Sequence, residues 1–244
     1  MMGIFSRTTS VYWVPVHAKK DDALNDLLWY KPEPVYYSLV HERNKETDFL
    51  QCPAVINFFK DTYIVRSPAD ITFKVNSNTV VVSKSQKGVI ESILETSNTA
   101  NSDVYASFQL TLPILFFSKE SVEIQQLPAF MHTNRFTSNT KIIPGKFDIS
   151  KWVRPIVVGF EVVDIEKDVV IKRGDPIYYV KLTSQNNKRI KLEQVEMDFK
   201  LAQLVSKCTG VKFKLPNNSL GNNYKLAESA INRFWNPKKC PWGG

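Results

Sequence analysis

The sequence is informative first through what it lacks. Only 3 of its 244 residues are cysteines, Cys52, Cys208 and Cys240, and no two of them form a Cys-x-x-Cys pair. An odd number of widely spaced cysteines argues against a disulfide framework and a structural zinc site, and it favours a reducing, intracellular setting. No apolar run approaches the roughly 18 residues that span a bilayer, and no apolar core for secretion follows the first methionine. We therefore expect a cytoplasmic protein with no membrane partner.

Motifs for the common catalytic chemistries are also absent. The three histidines, His17, His41 and His132, are scattered, with no His-Glu-x-x-His spacing, which predicts no zinc or iron site. The chain lacks the Gly-x-Ser-x-Gly and P-loop patterns, so nucleophilic serine chemistry and P-loop hydrolysis have no local support. On these grounds we expect no bound cofactor.

What is present is a series of strand-sized apolar runs. A hydrophobic content of 43% and a charged content of 23% are ordinary for a globular protein of this length. Runs spaced by roughly ten residues are typical of a sandwich or barrel. The predicted strands cover residues 11–16, 35–40, 54–59, 63–66, 71–75, 80–82, 89–94, 108–112, 115–117 and 122–127.

Three further segments have helical periodicity. Residues 21–30, 198–207 and 224–235 repeat apolar residues at spacings of three and four, and Gly210 follows the second as a stop. The prediction is a mainly β protein. Its body, residues 1–190, is of jelly-roll, sandwich or β-clip type, with the short helix near 21–30. Residues 191–244 form a basic helical C-terminal extension packed on that body.

Two apolar runs also carry information about position in a sheet. Residues 155–163 are apolar at almost every position, which is typical of a strand buried on both faces. The run 11–16 contains Pro15, which cannot donate to a ladder and so predicts an edge strand.

The segment Lys-Arg-Gly-Asp-Pro between residues 169–171 and 177–180 predicts a turn. Gly174 adopts positive φ without steric cost, and Pro176 has no amide hydrogen to donate. We therefore predict a strand–turn–strand hairpin at the centre of the body.

An ordered set of residues around this hairpin is shared with a known family. The set is Pro144, Gly145, Asp148, Trp152, Arg154, Ile171, Lys172, Gly174, Asp175 and Ile177. It resembles the last third of dUTP nucleotidohydrolases and dCTP deaminases, an all-β, distorted jelly-roll family that is usually trimeric. The resemblance implies that Asp148 orients the attacking water, that Trp152 stacks on the deoxyribose, and that Mg²⁺ binds the phosphates.

The sequence departs from that family in two places. Residues 127–136, LPAFMHTNRF, stand where the family has an Arg-Ser-Gly motif, and the Gly-rich C-terminal arm is missing. The overall layout also resembles proteins of bacteria and tailed phages, and a phage-encoded protein would act in the host cytoplasm.

Four residues are candidates for ligand chemistry. Asp148 is the best candidate for a carboxylate that orients water, although an aspartate at this place is also typical of a turn. Trp152, Arg154 and Arg135 are candidate ligand-binding residues, and each arginine could bind an anionic ligand or pair with a nearby carboxylate.

Positive charge is concentrated at the C-terminal end. From residue 200 onward there are eight lysines and arginines and one acid, Glu228, a local charge of +7 against +8 for the whole chain. The alternative to a binding role is that these lysines only keep two surface helices soluble. The predicted contacts to nucleic acid or an acidic protein are Lys212, Lys214, Lys225, Arg233, Trp235, Lys238 and Lys239.

Two classes of function follow. The first is a non-catalytic binding or assembly protein of phage type, which associates with copies of itself as a homo-oligomer or with another macromolecule. The second is a nucleotide-processing enzyme that uses Asp148, Trp152 and Mg²⁺, and single-stranded nucleic-acid binding is a further alternative. The missing Arg-Ser-Gly motif favours the first class.

Overall fold

The structure of the protein is a computed structural model. It describes residues 8–16, 30–43, 48–75, 80–82, 94–96, 106–112, 114–185, 187–214 and 220–236. The predicted helix at 21–30 lies outside the described residues apart from residue 30, and so does the predicted strand at 89–94 apart from residue 94. Across the described part of the chain, no helix is long and apolar enough to cross a membrane.

Strands dominate the described structure, as predicted. They are β1 (Thr8–Pro15), β2 (Glu33–Pro34), β3 (Thr62–Arg66), β4 (Ile71–Val75), β5 (Val80–Val82), β6 (Leu94–Thr96), β7 (Ser107–Thr111), β8 (Ile114–Ser118), β9 (Val122–Pro128), β10 (Thr140–Ile143), β11 (Lys146–Asp148), β12 (Val157–Val162), β13 (Val169–Ile171), β14 (Pro176–Ser184) and β15 (Arg189–Gln194). The helical elements are α1 (Val35–Arg43), a 3₁₀ turn (Asp48–Gln51), α2 (Pro53–Phe59), α3 (Arg135–Asn139), α4 (Phe199–Lys214) and α5 (Leu220–Trp235).

The strands form four sheets. Their orders are β15-β1-β8, β10-β12-β7-β6, β11-β9-β14-β3-β2 and β13-β4-β5. In the first sheet, β1 pairs in parallel with β15, so the first described strand lies beside the last one, which continues past the predicted end of the body at residue 190. This pairing is non-local, and only the folded body brings the two strands together.

Three apolar clusters hold these sheets and helices. The largest lies between the sheets, where Phe108 stacks on Phe160 with ring centroids 5.5 Å apart and meets Phe73 edge-on at 4.9 Å. The second joins β1 and β8 to α4 and α5, and the third lies beneath α1 and α2. The second and third clusters therefore attach helices to the body, whose own core is the first.

Two predicted strands are helices, and both predictions are wrong for the same reason. Residues 35–40 belong to α1, whose buried residues Val35, Ser38 and Leu39 have helical spacing. Residues 54–59 belong to α2, where Pro53 occupies the first turn and needs no amide hydrogen there. Short apolar runs do not distinguish a strand from a helix, because runs this short do not show which period they follow.

The turn at residues 172–175 is as predicted, but the hairpin is not. Gly174 has φ +85°, and the Asp175 amide donates to the Lys172 carbonyl at 2.9 Å. However, β13 pairs with β4, whereas β14 pairs with β3 and β9 in another sheet. The turn is therefore a crossing between two sheets.

The turn between β3 and β4 makes the same crossing beside it. The Ser67 amide donates to the Asp175 carbonyl, and the Gly174 amide donates to the Ser67 carbonyl, both at 2.9 Å. The Arg66 guanidinium also donates to the Gly174 carbonyl at 3.1 Å. We call this arrangement of residues 66–70 and 172–176 the double crossing.

Three smaller predictions are corrected by the strand and helix positions. Strand β12 buries only one face, because Val158 and Phe160 are buried while Val157 is 38% exposed. Strand β1 is central in its sheet, and Pro15 lies at its end, where it pairs with β8 alone. Helix α4 continues past Gly210 to Lys214, because a single glycine costs a helix only about 1 kcal/mol.

The geometry of the double crossing predicts the effect of replacing Gly174 by alanine. A Cβ at Gly174 would require a left-handed conformation and would lie 3.2 Å from the Tyr30 hydroxyl oxygen. We expect Gly174→Ala to lower the free energy of unfolding by about 1–2 kcal/mol in urea titrations. The matched change Gly210→Ala, inside α4, should raise it by up to about 1 kcal/mol. Equal effects of the two substitutions would contradict the role of the turn.

Candidate functional site

Asp148 ends β11 and organises the turn that follows it. Its Oδ2 accepts from the Ser121 hydroxyl at 2.7 Å, and its Oδ1 accepts from the Ser150 amide at 2.9 Å and the Ser150 hydroxyl at 2.7 Å. The Asp148 carbonyl also accepts from the Lys151 amide at 3.1 Å. A carboxylate has about four acceptor positions, so three are already used within the turn.

A small cavity opens beside this turn. It has a volume of about 240 Å³ and is lined by Phe147, Asp148, Lys151, Trp152 and Glu228. The Phe147 ring lies 5.2 Å from the Trp152 ring, which forms an apolar wall. The cavity therefore combines an aromatic wall with charged groups of both signs.

The other candidate residues differ in their relation to this cavity. The Arg154 guanidinium carbon lies 3.5 Å from the Trp152 ring centroid, so it covers one face of that ring as a cation–π partner. Arg135 lies exposed at the first position of α3 and does not line the cavity. The structure thus brings Asp148, Trp152 and Arg154 together and leaves Arg135 apart.

The donor set at this cavity does not fit a Mg²⁺ ion held by the protein. Mg²⁺ requires nearly octahedral oxygen ligands, whereas the Asp148 oxygens accept from two serines and the Lys151 side chain lines the same space. In the described ranges, no group of three or more His, Cys, Asp or Glu side chains is placed to hold a metal.

The C-terminal helices attach to the body through their apolar sides. Burial raises the pKa of Cys208, in α4, to about 11, so its thiol is protonated at neutral pH. Trp235, at the end of α5, has its ring centroid 6.0 Å from those of both Tyr12 and Phe117. Its ring therefore packs on the body, whereas the sequence predicts a contact of this residue with nucleic acid or an acidic protein. The buried helix residues are Leu201, Leu204, Val205, Cys208, Ala227 and Ile231.

The same helices also carry exposed cations. Lys200 and Lys207 of α4 and Lys225 and Arg233 of α5 are exposed, and Arg233 donates to the Ser229 hydroxyl at 3.1 Å. Lys212 and Lys214 lie in the last turn of α4, and Lys238 and Lys239 are outside the described residues. We call the four exposed cations the cationic helix face.

A buried polar network that the sequence did not predict lies under α1. The His132 Nδ1 atom lies 2.5 Å from the Tyr179 hydroxyl, and its Nε2 atom lies 3.4 Å from both the Glu42 carboxylate and the Ser38 hydroxyl. Ser38 donates to Glu42 at 3.0 Å and accepts from Arg66 at 3.1 Å. The network links α1 to β3, β14 and the loop after β9.

These contacts indicate which ring nitrogen of the neutral His132 carries the hydrogen. The Glu42 carboxylate can only accept, so the neutral ring carries its hydrogen on Nε2, and Nδ1 accepts from Tyr179. Burial lowers the pKa of His132, the nearby Glu42 carboxylate opposes this shift, and Arg66 and Arg43 reinforce it. Ser38 is only 2% exposed, and its hydroxyl donates to Glu42, so it is not placed as a nucleophile.

One pattern in the sequence could have revealed this network. Ser38 and Glu42 are four residues apart, which places them on one face only if the segment is helical. Because residues 35–40 are predicted as a strand, the sequence does not reveal that relation.

No protein-family model matches the chain, and a search of curated proteins finds no match.

The lowered pKa of His132 predicts a pH-dependent stability. The unfolded chain protonates its histidines near pH 6.5, before the folded one protonates His132, so stability should fall as the pH drops below about 6.5. The contribution of this one group cannot exceed about 1.4 kcal/mol per pH unit. In urea titrations at pH 7.5 and 5.5, His132→Gln should show a smaller pH effect than the unmodified protein. His41→Gln, an exposed control on α1, should keep the full effect. If the free energy of unfolding of His132→Gln falls between pH 7.5 and 5.5 as much as that of the unmodified protein, the prediction is contradicted.

Proposed function

We propose that this chain is a non-catalytic binding protein whose cationic helix face holds a nucleic acid. The carrying observation is that α4 and α5 bury their apolar sides on the body and direct Lys200, Lys207, Lys225 and Arg233 outward. Phosphates are neutralised by such exposed cations, and binding of this kind depends on salt rather than on base sequence.

The non-catalytic character is supported by the contacts of Asp148. Three hydrogen bonds from Ser121 and Ser150 give its carboxylate a structural role in the turn. The body is proposed to be a jelly-roll, sandwich or β-clip variant, which is supported by the double crossing, because the chain passes twice between two sheets there. Self-association, expected from the sequence, stays a prediction.

The test measures binding of a fluorescent single-stranded oligonucleotide by anisotropy across salt concentrations. The double variant Lys225→Gln/Arg233→Gln should bind more weakly, and two lost phosphate contacts should reduce the slope of log K against log salt by about 1.4. The control Lys141→Gln/Lys172→Gln removes the same charge from exposed positions on the body.

Undetectable binding, salt-independent binding or an equal loss of affinity in both double variants would overturn this proposal. Binding of a polyglutamate chain without binding of the oligonucleotide would also contradict it, and would point to an acidic protein partner.

A second candidate, a nucleotide-processing enzyme, is favoured by one observation. A cavity does open beside Asp148 and Trp152, as that function requires. Its volume of about 240 Å³ is below the roughly 300 Å³ at which ligand pockets usually begin, and Arg154 covers one face of Trp152.

Thermal-shift measurements separate the two functions. We expect no stabilisation by a panel of deoxynucleoside triphosphates with Mg²⁺. For the enzyme, a ligand at 100 times its Kd should add about 2.7 kcal/mol to the free energy of unfolding. Such a shift, lost in Trp152→Ala and kept in the control Phe199→Ala, would establish the second candidate instead.

A further inference from the structure

Two half-exposed aromatic rings lie over a different apolar cluster from the one that holds the C-terminal helices. Phe58, at the end of α2, is 47% exposed, and Phe130, just after β9, is 48% exposed. Their ring centroids are 6.0 Å apart. Phe130 stacks on Phe59 at 5.9 Å and meets Tyr179 edge-on at 5.5 Å. Since Phe59 and Tyr179 are buried, the exposed rings rest on a fixed base.

One cation lies against the Phe58 ring, and two more lie near the neighbouring Asp61. The Lys181 ammonium donates to the Phe58 carbonyl at 2.8 Å and lies 4.7 Å from the Phe58 ring centroid. Asp61 lies among Lys60, Arg189 and Lys181, which are close enough to affect its carboxylate. Burial raises the pKa of Asp61, and these three cations oppose that rise. Three cations around one carboxylate leave the patch positively charged.

We call Phe58, Phe130, Lys60, Lys181 and Arg189 the aromatic platform. An apolar partner would cover these cations without compensating them, which is costly. A second copy seated symmetrically on the platform would bring like charges together. A single-stranded nucleic acid fits both features, because its bases stack on aromatic rings while its phosphates contact the amines.

We propose that the aromatic platform is a base-stacking site for single-stranded nucleic acid. Bases stack on Phe130, beside the Phe58 ring that Lys181 already contacts, and Lys181, Lys60 and Arg189 contact the flanking phosphates. This inference rests on the proposed function for the class of partner, but it uses residues and contacts that are separate from the cationic helix face.

The test compares the variant Phe58→Leu/Phe130→Leu with the unmodified protein. Leucine keeps apolar contact with Phe59 and Tyr179 but removes the aromatic faces, so unfolding transitions should change little. Binding of an oligothymidine should weaken at least about five-fold, and binding of an abasic strand of equal length should stay the same. The control Tyr37→Leu alters a ring that is 62% exposed on α1, outside both proposed binding surfaces, and should affect neither strand.

The variants distinguish the platform from the helix face. Lys225→Gln/Arg233→Gln should weaken binding of both strands, because it removes phosphate contacts only. A second platform variant, Lys181→Gln, keeps both rings and should also weaken binding of the oligothymidine.

The proposal is overturned if the leucine variant binds the oligothymidine as tightly as the unmodified protein does. It is also overturned if its affinity for the abasic strand falls as much as its affinity for the oligothymidine. It is also overturned if the leucine variant changes only the sedimentation coefficient, which would identify a self-association surface. If Lys225→Gln/Arg233→Gln keeps full binding of the oligothymidine while the leucine variant loses it, the helix-face proposal fails and the platform proposal stands.

Discussion

The double crossing is the contact on which the rest of the body depends. Ser67 exchanges backbone hydrogen bonds with Gly174 and Asp175, each 2.9 Å long, where the chain passes twice between the same two sheets. Antiparallel pairs lie on both sides of it, β3 with β14 and β4 with β13. A slip in either turn would shift both pairs and move their apolar side chains to the wrong face. The positive φ of Gly174 is what allows the second of the two turns to form.

Arg66 connects this crossing to the polar network under α1. Its guanidinium donates to the Gly174 carbonyl, to Ser38 and to Glu33, and its side chain is only 17% exposed. Buried polar groups of this kind stabilise a fold only when each has a partner. The neutral His132, with Glu42 on one nitrogen and Tyr179 on the other, meets that condition. The network therefore holds α1 in place, and α1 packs in the same cluster as Phe59 and Tyr179, on which Phe58 and Phe130 rest.

Candidate residues were predictable from the sequence where they are close along the chain. Asp148, Trp152 and Arg154 lie within seven positions, so a single turn brings them together. Arg135 lies outside that turn, and no local pattern relates its position to theirs. The sequence does not reveal Phe58 and Phe130 as a pair. Phe58 lies in α2, a run that predicts a strand, and Phe130 follows β9, which is distant along the chain. Trp235 was found as an aromatic residue among cations, but its periodicity within α5 does not show that its ring packs on Tyr12 and Phe117.

The sequence by itself determined the mainly β character, most strand positions, the turn at Gly174, the two C-terminal helices and the charge gathered around them. These properties follow from local periodicity, turn chemistry and composition, which act over a few residues. The tertiary structure alone decided that β13 and β14 separate into different sheets, that β1 pairs with β15, and which face of each C-terminal helix meets solvent. Strand pairing and helix attachment depend on apolar surfaces from distant parts of the chain fitting one another, and a linear pattern records only that a residue is apolar, not the surface it will meet.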